Sequence, residues 1–218
     1  MKKTMLYFFA CLCFTSCKNF SNSGQEATDS LAVTGHEGHH MESSSPSKRK
    51  YIDSVNKGLI KNDTLKGSPK MVIMRTISGV HLHMQYSSPG VKGRVIWGGL
   101  VPYEKVWVTG AHEATTLEIN NPIIIVNQKI EAGKYAIFTI PGKEMWTFIL
   151  NKNHRQHLAD EYSERDDIIR VEVKPISNSL VERLRYSILP LDSNKGKIIV
   201  EWEMIKIEVP FDIPNSAV

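Results

Sequence analysis

The chain has 218 residues, with 27 Lys and Arg against 23 Asp and Glu and a formal net charge of +4. This mixed-sign, near-neutral balance provides no basic surface of the kind that nucleic acids require, so no nucleic-acid partner is expected. The length is sufficient for a hydrophobic core that needs no disulfide bonds.

The N-terminus has the organisation of an export signal. Two lysines precede an apolar run over residues 5–14, which suits a signal peptide but is shorter than the roughly 20 residues that cross a bilayer. The small residue Ser16 then stands before Cys17, an order that resembles a bacterial lipoprotein signal. We therefore expect residues 1–16 to be removed and Cys17 to be lipidated. The membrane is then a partner, and the protein is exported to the cell envelope, at the outer membrane or the periplasmic face.

The cysteine count agrees with this interpretation. Of three cysteines, Cys11 and Cys13 lie in the segment expected to be removed, and Cys17 is the lipid acceptor. No thiol then remains for a disulfide bond, a catalytic cysteine or a Cys-ligated zinc.

Residues 17–68 are expected to form a lipid-anchored flexible tether. They are rich in Ser, Asn, Gly, Lys and acidic residues, and they contain too few large apolar side chains to offset the entropy of ordering. A short, weakly patterned helix over residues 51–60 is the alternative for the end of this segment.

The tether contains a concentrated set of metal-ligating side chains at His36, His39, His40 and Met41. Imidazole suits copper and zinc, and a thioether suits Cu(I). A glycine between the histidines would let the chain wrap around one ion. This segment therefore predicts either a Cu or Zn site or a polar tether that happens to contain histidines.

Residues 69–212 have the pattern of an all-β domain, followed by a C-terminal tail at 213–218. Short runs of β-branched and aromatic residues alternate with Gly, Pro, Asn and Asp, which predicts an antiparallel β-sandwich or jelly roll. The expected strands lie at 71–77, 81–86, 115–119, 123–127, 134–140, 145–151, 168–173, 184–189 and 197–204, with a last extended piece at 206–210.

Several ordered motifs in this region resemble the DUF2911 family, a domain of unknown function found largely in exported bacterial proteins. They are YSSPGVKGR at 86–94, WGGLVPY at 97–103, WVTGAHEATT at 107–116, AGKYAIFTIPG at 132–142, WTFILNK at 146–152 and VEWE at 200–203. The resemblance covers roughly residues 70–212. Family members commonly have Arg, Arg and Asn where this chain has Ser88, Val108 and His112, so the resemblance implies no anion-binding role at these positions.

His81 and His83 are candidate metal ligands. Two residues apart on a strand, their side chains point to the same face about 7 Å apart. A third ligand would come from His112, His154, His157, Glu104 or Glu113. The alternative is an exposed polar face of the strand.

The segment 98–116 and the loop 151–157 are the other candidate sites. His112 beside Glu113 has the groups for general acid–base catalysis, but adjacent strand residues point to opposite faces. The polar loop 151–157 is interpreted as solvated chain, with the mouth of a ligand site as the alternative.

The sequence favours a cell-envelope lipoprotein whose sandwich is a non-enzymatic binding module for a small molecule, a glycan or an envelope protein. The expected ligand-binding residues are Trp97, Tyr103, Trp107, Thr109 and His112. One alternative is a metal-dependent or histidine-based hydrolase or isomerase that uses His81, His83 and His112. The other is Cu or Zn handling by the tether histidines.

Overall fold

The computed structural model describes residues 45–214, and they form one short helix and two antiparallel sheets. The elements are α1 (Pro46–Asn56), β1 (Lys70–Ile77), β2 (Val80–Ser87), β3 (Thr115–Ile119), β4 (Ile123–Ile125), β5 (Gln128–Ile130), β6 (Gly133–Ile140), β7 (Trp146–Asn151), β8 (Asp167–Val173), β9 (Ile176–Pro190) and β10 (Lys195–Asp212). A single 3-10 turn, Glu164–Asp166, precedes β8. Within this part of the chain no helix is long and apolar enough to cross a bilayer.

The strands form an open sandwich, as the sequence predicts. The larger sheet has six strands in the order β1-β2-β3-β6-β7-β8, and the smaller sheet has four in the order β5-β4-β10-β9. The expected strands all lie within observed ones, apart from the end of 123–127 and the first residue of 145–151. The sequence missed the short strand β5, and it underestimated β9 and β10, which form a long hairpin.

The alternation along β2 explains which face of the larger sheet is buried. Leu82, Met84 and Tyr86 are buried in the main core, whereas His81 is exposed and His83 is half-buried on the opposite face. We call that opposite face the outer face. It is the surface on which the candidate sites lie.

The chain from residue 45 to 68 differs from the predicted tether. Helix α1 begins after the Ser45 cap, whose hydroxyl accepts from the Lys48 amide, and it ends at Asn56, two residues before Gly58, which has a φ of 70°. The amides of Gly58 and Leu59 bond back to the carbonyls of Val55 and Ser54, a closure that favours glycine in the left-handed conformation.

Polar contacts to strand edges, more than apolar area, hold α1 in place. Ile52 and Val55 are its buried side chains. Arg49 donates to the Val72 carbonyl of edge strand β1 at 2.7 Å. The Asn56 amide pairs with both backbone groups of Arg183 on edge strand β9, at 2.7 and 2.9 Å. Composition gave no sign of this docking, because it depends on a few specific hydrogen bonds.

A buried ion pair then fixes the segment between α1 and β1. The Arg183 side chain is fully buried, and its Nη2 lies 2.7 Å from Asp63 Oδ2. The same guanidinium donates to the carbonyls of Leu65, Gly67 and Ser88. One side chain of the smaller sheet thus holds both the approach to β1 and the exit of β2.

We expect Arg183→Met to lower the free energy of unfolding by about 3–5 kcal/mol, because it leaves the Asp63 carboxylate buried without its partner. Urea denaturation measures this loss. The double variant Arg183→Met/Asp63→Leu should recover part of it. Arg185→Met on the same strand is the control, because its pair with Glu201 is partly exposed and should cost at most about 1 kcal/mol. A double variant no more stable than the single one would contradict the role of the charge.

Glu208 on β10 makes a pH-dependent contribution to the stability of the smaller sheet. Its carboxylate accepts from Lys197 at 2.7 Å and lies 3.0 Å from Lys206 Nζ, and these two hydrogen bonds lower the pKa of Glu208 from its ordinary 4.5. Because the folded-state pKa is the lower one, this stabilisation is present above pH 4.5 and is lost as the pH falls through the folded value.

We expect Glu208→Gln to lower the free energy of unfolding by about 0.5–1 kcal/mol at pH 7 and to have no effect near about pH 3. Denaturant titrations at the two pH values measure the difference. Glu172→Gln on β8 is the control, since Glu172 is exposed and forms no ion pair with the residues in 45–214. An equal effect of Glu208→Gln at both pH values would contradict this assignment.

Candidate functional site

Two loops cover the outer face over β6 and β7 and leave it open over β1, β2 and β3. The loops are residues 98–114 and 152–166. Their apolar side chains form a second, smaller core with Phe138 and Ile149 of the sheet, in which Val108 and Ala114 are also buried. The loops therefore stand as a wall beside the exposed half of the outer face.

Backbone hydrogen bonds join the two loops to each other. The Ala114 amide donates to the Gln156 carbonyl at 2.9 Å, and the Leu158 amide donates to the His112 carbonyl at 2.6 Å. His112 has a φ of 65°, so it is the turn residue from which this pairing starts. The loop pairing gives the wall a fixed position.

Tyr162 ties the second loop to strand β8. Its hydroxyl donates to Asp167 Oδ2 at 2.6 Å and accepts from Arg170 at 2.8 Å, while its ring packs on Phe138 with centroids 5.1 Å apart. Burial, together with the hydrogen bond to Asp167, raises the pKa of Tyr162. The hydroxyl is therefore a neutral donor at physiological pH.

A groove of about 600 Å³ lies between this wall and the open half of the outer face. Its sheet side has Lys70, Gln85, Tyr86, Ser87, Thr116 and Lys134, and its wall side has Glu113, Ala114, His154, Arg155, Gln156 and His157. This volume is in the range of small-molecule sites. The loop 151–157 thus contributes to a ligand-sized groove, which was the alternative to solvated chain.

The groove has more cationic than anionic side chains. Lys70, Lys134 and Arg155 line it, against the single carboxylate of Glu113. Glu113 Oε2 lies 2.8 Å from Lys70 Nζ, so these two charges compensate each other. Arg155 has no ion-pair or hydrogen-bond partner for its side chain among the residues described, and it leaves a positive charge available to a ligand.

Gln156 adds an unsatisfied acceptor to the groove lining. Its Nε2 donates to the Asn153 carbonyl at 2.6 Å, which fixes the orientation of the amide. Its Oε1 is buried and has no hydrogen-bond partner within residues 45–214. A buried acceptor without a donor costs about 1–3 kcal/mol.

The five expected ligand-binding residues do not line this groove. Trp97 and Trp107 instead pack with Trp146 and Trp202, with ring centroids 4.8–6.5 Å apart. The Nε1 atoms of Trp97, Trp146 and Trp202 are buried without a conventional partner. The largely edge-to-face arrangement offers them ring faces as weak acceptors. The four tryptophans are therefore packing residues.

Thr109 is a buried structural anchor in this turn. It is fully buried with a φ of 50°, an unusual conformation for a β-branched side chain. Its carbonyl accepts from Thr115 Oγ1 at 3.0 Å and from the Tyr186 hydroxyl at 2.8 Å. These bonds hold the strained turn, and they use groups that a ligand would otherwise contact. Tyr103 is half-buried against Gly98.

The two residues of the candidate acid–base pair, His112 and Glu113, do not lie in the same site. Glu113 lines the groove, whereas His112 is exposed and is not among the lining residues. His81 and His83 line a different cavity of about 360 Å³, together with Met74, Glu118, Ile119 and Asn120. The structure therefore does not bring His81, His83 and His112 into one site.

The predicted metal and lipidation sites are considered next. Within residues 45–214 no three His, Cys, Asp or Glu side chains form a group that could hold a metal ion. Cys17, His36, His39, His40 and Met41 lie outside the described residues, so their assignments stay predictions. Sequence reasoning missed Lys70 and Lys134, because lysines on separate elements leave no local pattern, and it included Arg155 only as part of the loop 151–157.

The fold and the groove define an antiparallel β-sandwich domain with a polar groove beside one sheet face. The family model for the protein of unknown function DUF2911 matches residues 68–211, about two thirds of the chain. The chain belongs to this family, as its motifs predict. No curated protein matches the chain, and no solved structure matches it.

We expect Tyr162→Phe to lower the free energy of unfolding by about 1 kcal/mol and to loosen the wall of the groove, because the Asp167–Arg170 link to the loop is lost. Hydrogen exchange at the Ala114 and Leu158 amides should accelerate. Tyr135→Phe is the control, since its hydroxyl bonds the Glu131 carbonyl away from the wall. Equal exchange in the two variants would contradict the role of Tyr162.

Proposed function

We propose that the protein is a cell-envelope binding module, anchored through Cys17, and that its groove binds a small hydroxylated anion such as an acidic sugar unit. The observation that carries this proposal is the lining of the groove, where three cationic side chains meet one carboxylate. Two imidazoles, His154 and His157, add further nitrogen donors or acceptors.

The polar groups of the groove favour a ligand that carries both acceptors and donors. Arg155 and Lys134 suit a carboxylate or sulfate, and Arg155 is the better candidate for paired hydrogen bonds because of its planar fork. The Ser87 and Thr116 hydroxyls can accept hydrogen bonds from the hydroxyls of a ligand. A sugar acid offers a carboxylate beside several hydroxyls, so it matches both requirements.

The arrangement supports binding more than catalysis. The carboxylate of Glu113 is held by Lys70, and its sequence neighbour His112 lies outside the groove lining. A general acid–base pair requires two groups that reach the same reacting atom. The groove instead presents fixed charges and amides distributed along two walls, which is suited to recognition.

Isothermal titration calorimetry with glucuronate, galacturonate and glucose tests the proposal. We expect the two uronates to bind and glucose to bind at least about tenfold more weakly, because it lacks the charge that Arg155 and Lys134 recognise. Arg155→Gln should weaken uronate binding roughly threefold to tenfold, since it removes an exposed charge-assisted contact.

Arg165→Gln provides the matched control, because Arg165 is an exposed arginine of the same loop that does not line the groove. It should leave the affinity unchanged. Equal binding of glucose and glucuronate would overturn the anionic class of ligand. Turnover of a sugar conjugate that depends on His154 or His157 would replace binding by an enzymatic function.

A further inference from the structure

The second cavity of the outer face has a composition unlike that of the groove. It is formed on β1, β2 and β3, and it combines two imidazoles with a thioether, from His81, His83 and Met74. Met74 is an exposed apolar side chain at 60% relative exposure, and it belongs to neither hydrophobic core. Packing therefore does not account for methionine at this position.

Strand register brings these three side chains together. Met74 of β1 is the direct cross-strand partner of His83 of β2. Direct partners in an antiparallel pair have Cβ atoms about 4.5–5.5 Å apart, and diagonal partners remain within reach of long side chains. His81 is two residues from His83, on the same face and diagonal to Met74. The three side chains are neighbours because of the β1–β2 hairpin, although their spacing in sequence does not suggest it.

In both histidines the two ring nitrogens have different surroundings, because Nδ1 lies near a polar side chain. His81 Nδ1 lies 3.0 Å from the Thr76 hydroxyl. His83 Nδ1 lies 3.9 Å from Glu118 Oε2. Histidines that bind metals usually engage one ring nitrogen with such an outer partner, which orients the ring and leaves the other nitrogen for the metal. Within residues 45–214 neither Nε2 atom has a hydrogen-bond partner, and of the two Nδ1 contacts only that of His81 is short enough for a hydrogen bond.

We propose that Met74, His81 and His83 form a Cu(I) site. Soft thioether ligands select Cu(I) among the biological metals, and imidazole is compatible with it. Two or three such donors are enough for this ion, whereas zinc usually takes four ligands in a tetrahedral arrangement. Glu118 is shared between His83 and Lys134, so it serves as the outer partner and not as a further ligand.

This site is separate from the groove and does not depend on the proposed ligand. The two lie side by side on the outer face, since Lys134 lines the groove while its partner Glu118 lines the second cavity. The site is also independent of the tether histidines, which are a rival source of copper binding in the intact chain. The experiment must therefore remove that rival without truncating the protein.

The test uses the full chain in a background with Cys11→Ser, Cys13→Ser, Cys17→Ser, His36→Ala, His39→Ala, His40→Ala and Met41→Leu, because the thiols and the tether ligands would otherwise bind Cu(I). Cu(I) is titrated anaerobically against a chromophoric Cu(I) chelator. We expect one equivalent of Cu(I) to be retained, and X-ray absorption to report sulfur as well as nitrogen scattering. In this background, Met74→Leu should weaken Cu(I) binding at least about tenfold and abolish the sulfur scattering.

Matched variants separate ligation from surface change. Met204→Leu is the control for the thioether, because Met204 is similarly exposed at 53% on the other sheet. His112→Ala is the control for an exposed imidazole. Thr76→Val, which keeps the β-branched shape, should weaken binding about tenfold by releasing His81 Nδ1.

The proposal is overturned if the background chain retains no Cu(I), or if Met74→Leu and Met204→Leu bind Cu(I) equally. Nitrogen-only scattering in the background chain would likewise overturn it. The two substituted positions of the site, Met74 and Thr76, are exposed, so a loss of folding is not expected to obscure the result. A thermal melt of each variant checks this directly.

Discussion

The structure depends on the buried guanidinium of Arg183. It lies on β9, an edge strand of the smaller sheet, and it reaches Asp63 and three backbone carbonyls from two distant parts of the chain. Because Arg cannot lose its proton inside a protein, its burial requires partners for most of its donors. Nη1 and Nη2 of Arg183 have such partners, whereas its buried Nε has none within residues 45–214. The segment before β1 and the end of β2 are folded around that requirement.

The contacts of Arg183 also affect the outer face, because the segments that it holds continue into residues of the groove. The segment held by Arg183 leads into Lys70, the first residue of β1, and Lys70 lines the groove and pairs with Glu113 of the wall. Ser87 and Ser88, at the end of β2, lie between Arg183 and the groove. The helix α1 protects the two exposed edges through Arg49 and Asn56, a usual means of keeping edge strands from pairing with other chains.

The two proposed sites differ in chemistry, and they lie on one sheet face without sharing a lining residue. The groove offers positive charge and hydrogen bonds, and the neighbouring cavity offers soft and imidazole donors. They meet at the Lys134–Glu118 pair, which is 3.8 Å long. The loops that build the wall are fixed by a second core and by backbone pairing, so the groove is held open by the fold itself.

The sequence by itself determined the sandwich, most of its strands and the family, because alternation of apolar residues reports directly which face of a strand is buried. It also identified His81 and His83 as neighbours on one face. Only the tertiary structure decided the rest. Trp107 and Thr109 have the chemistry of a binding site, yet their packing makes them structural.

Lys70, Arg155 and Met74 carry no local signal, and they acquire their roles through cross-strand register and loop pairing. Such contacts join residues far apart in the chain, and a single sequence does not encode them as a pattern. A helix near residues 51–60 was an alternative in the sequence, but the docking of α1 was not, since it rests on hydrogen bonds to the distant residues Val72 and Arg183.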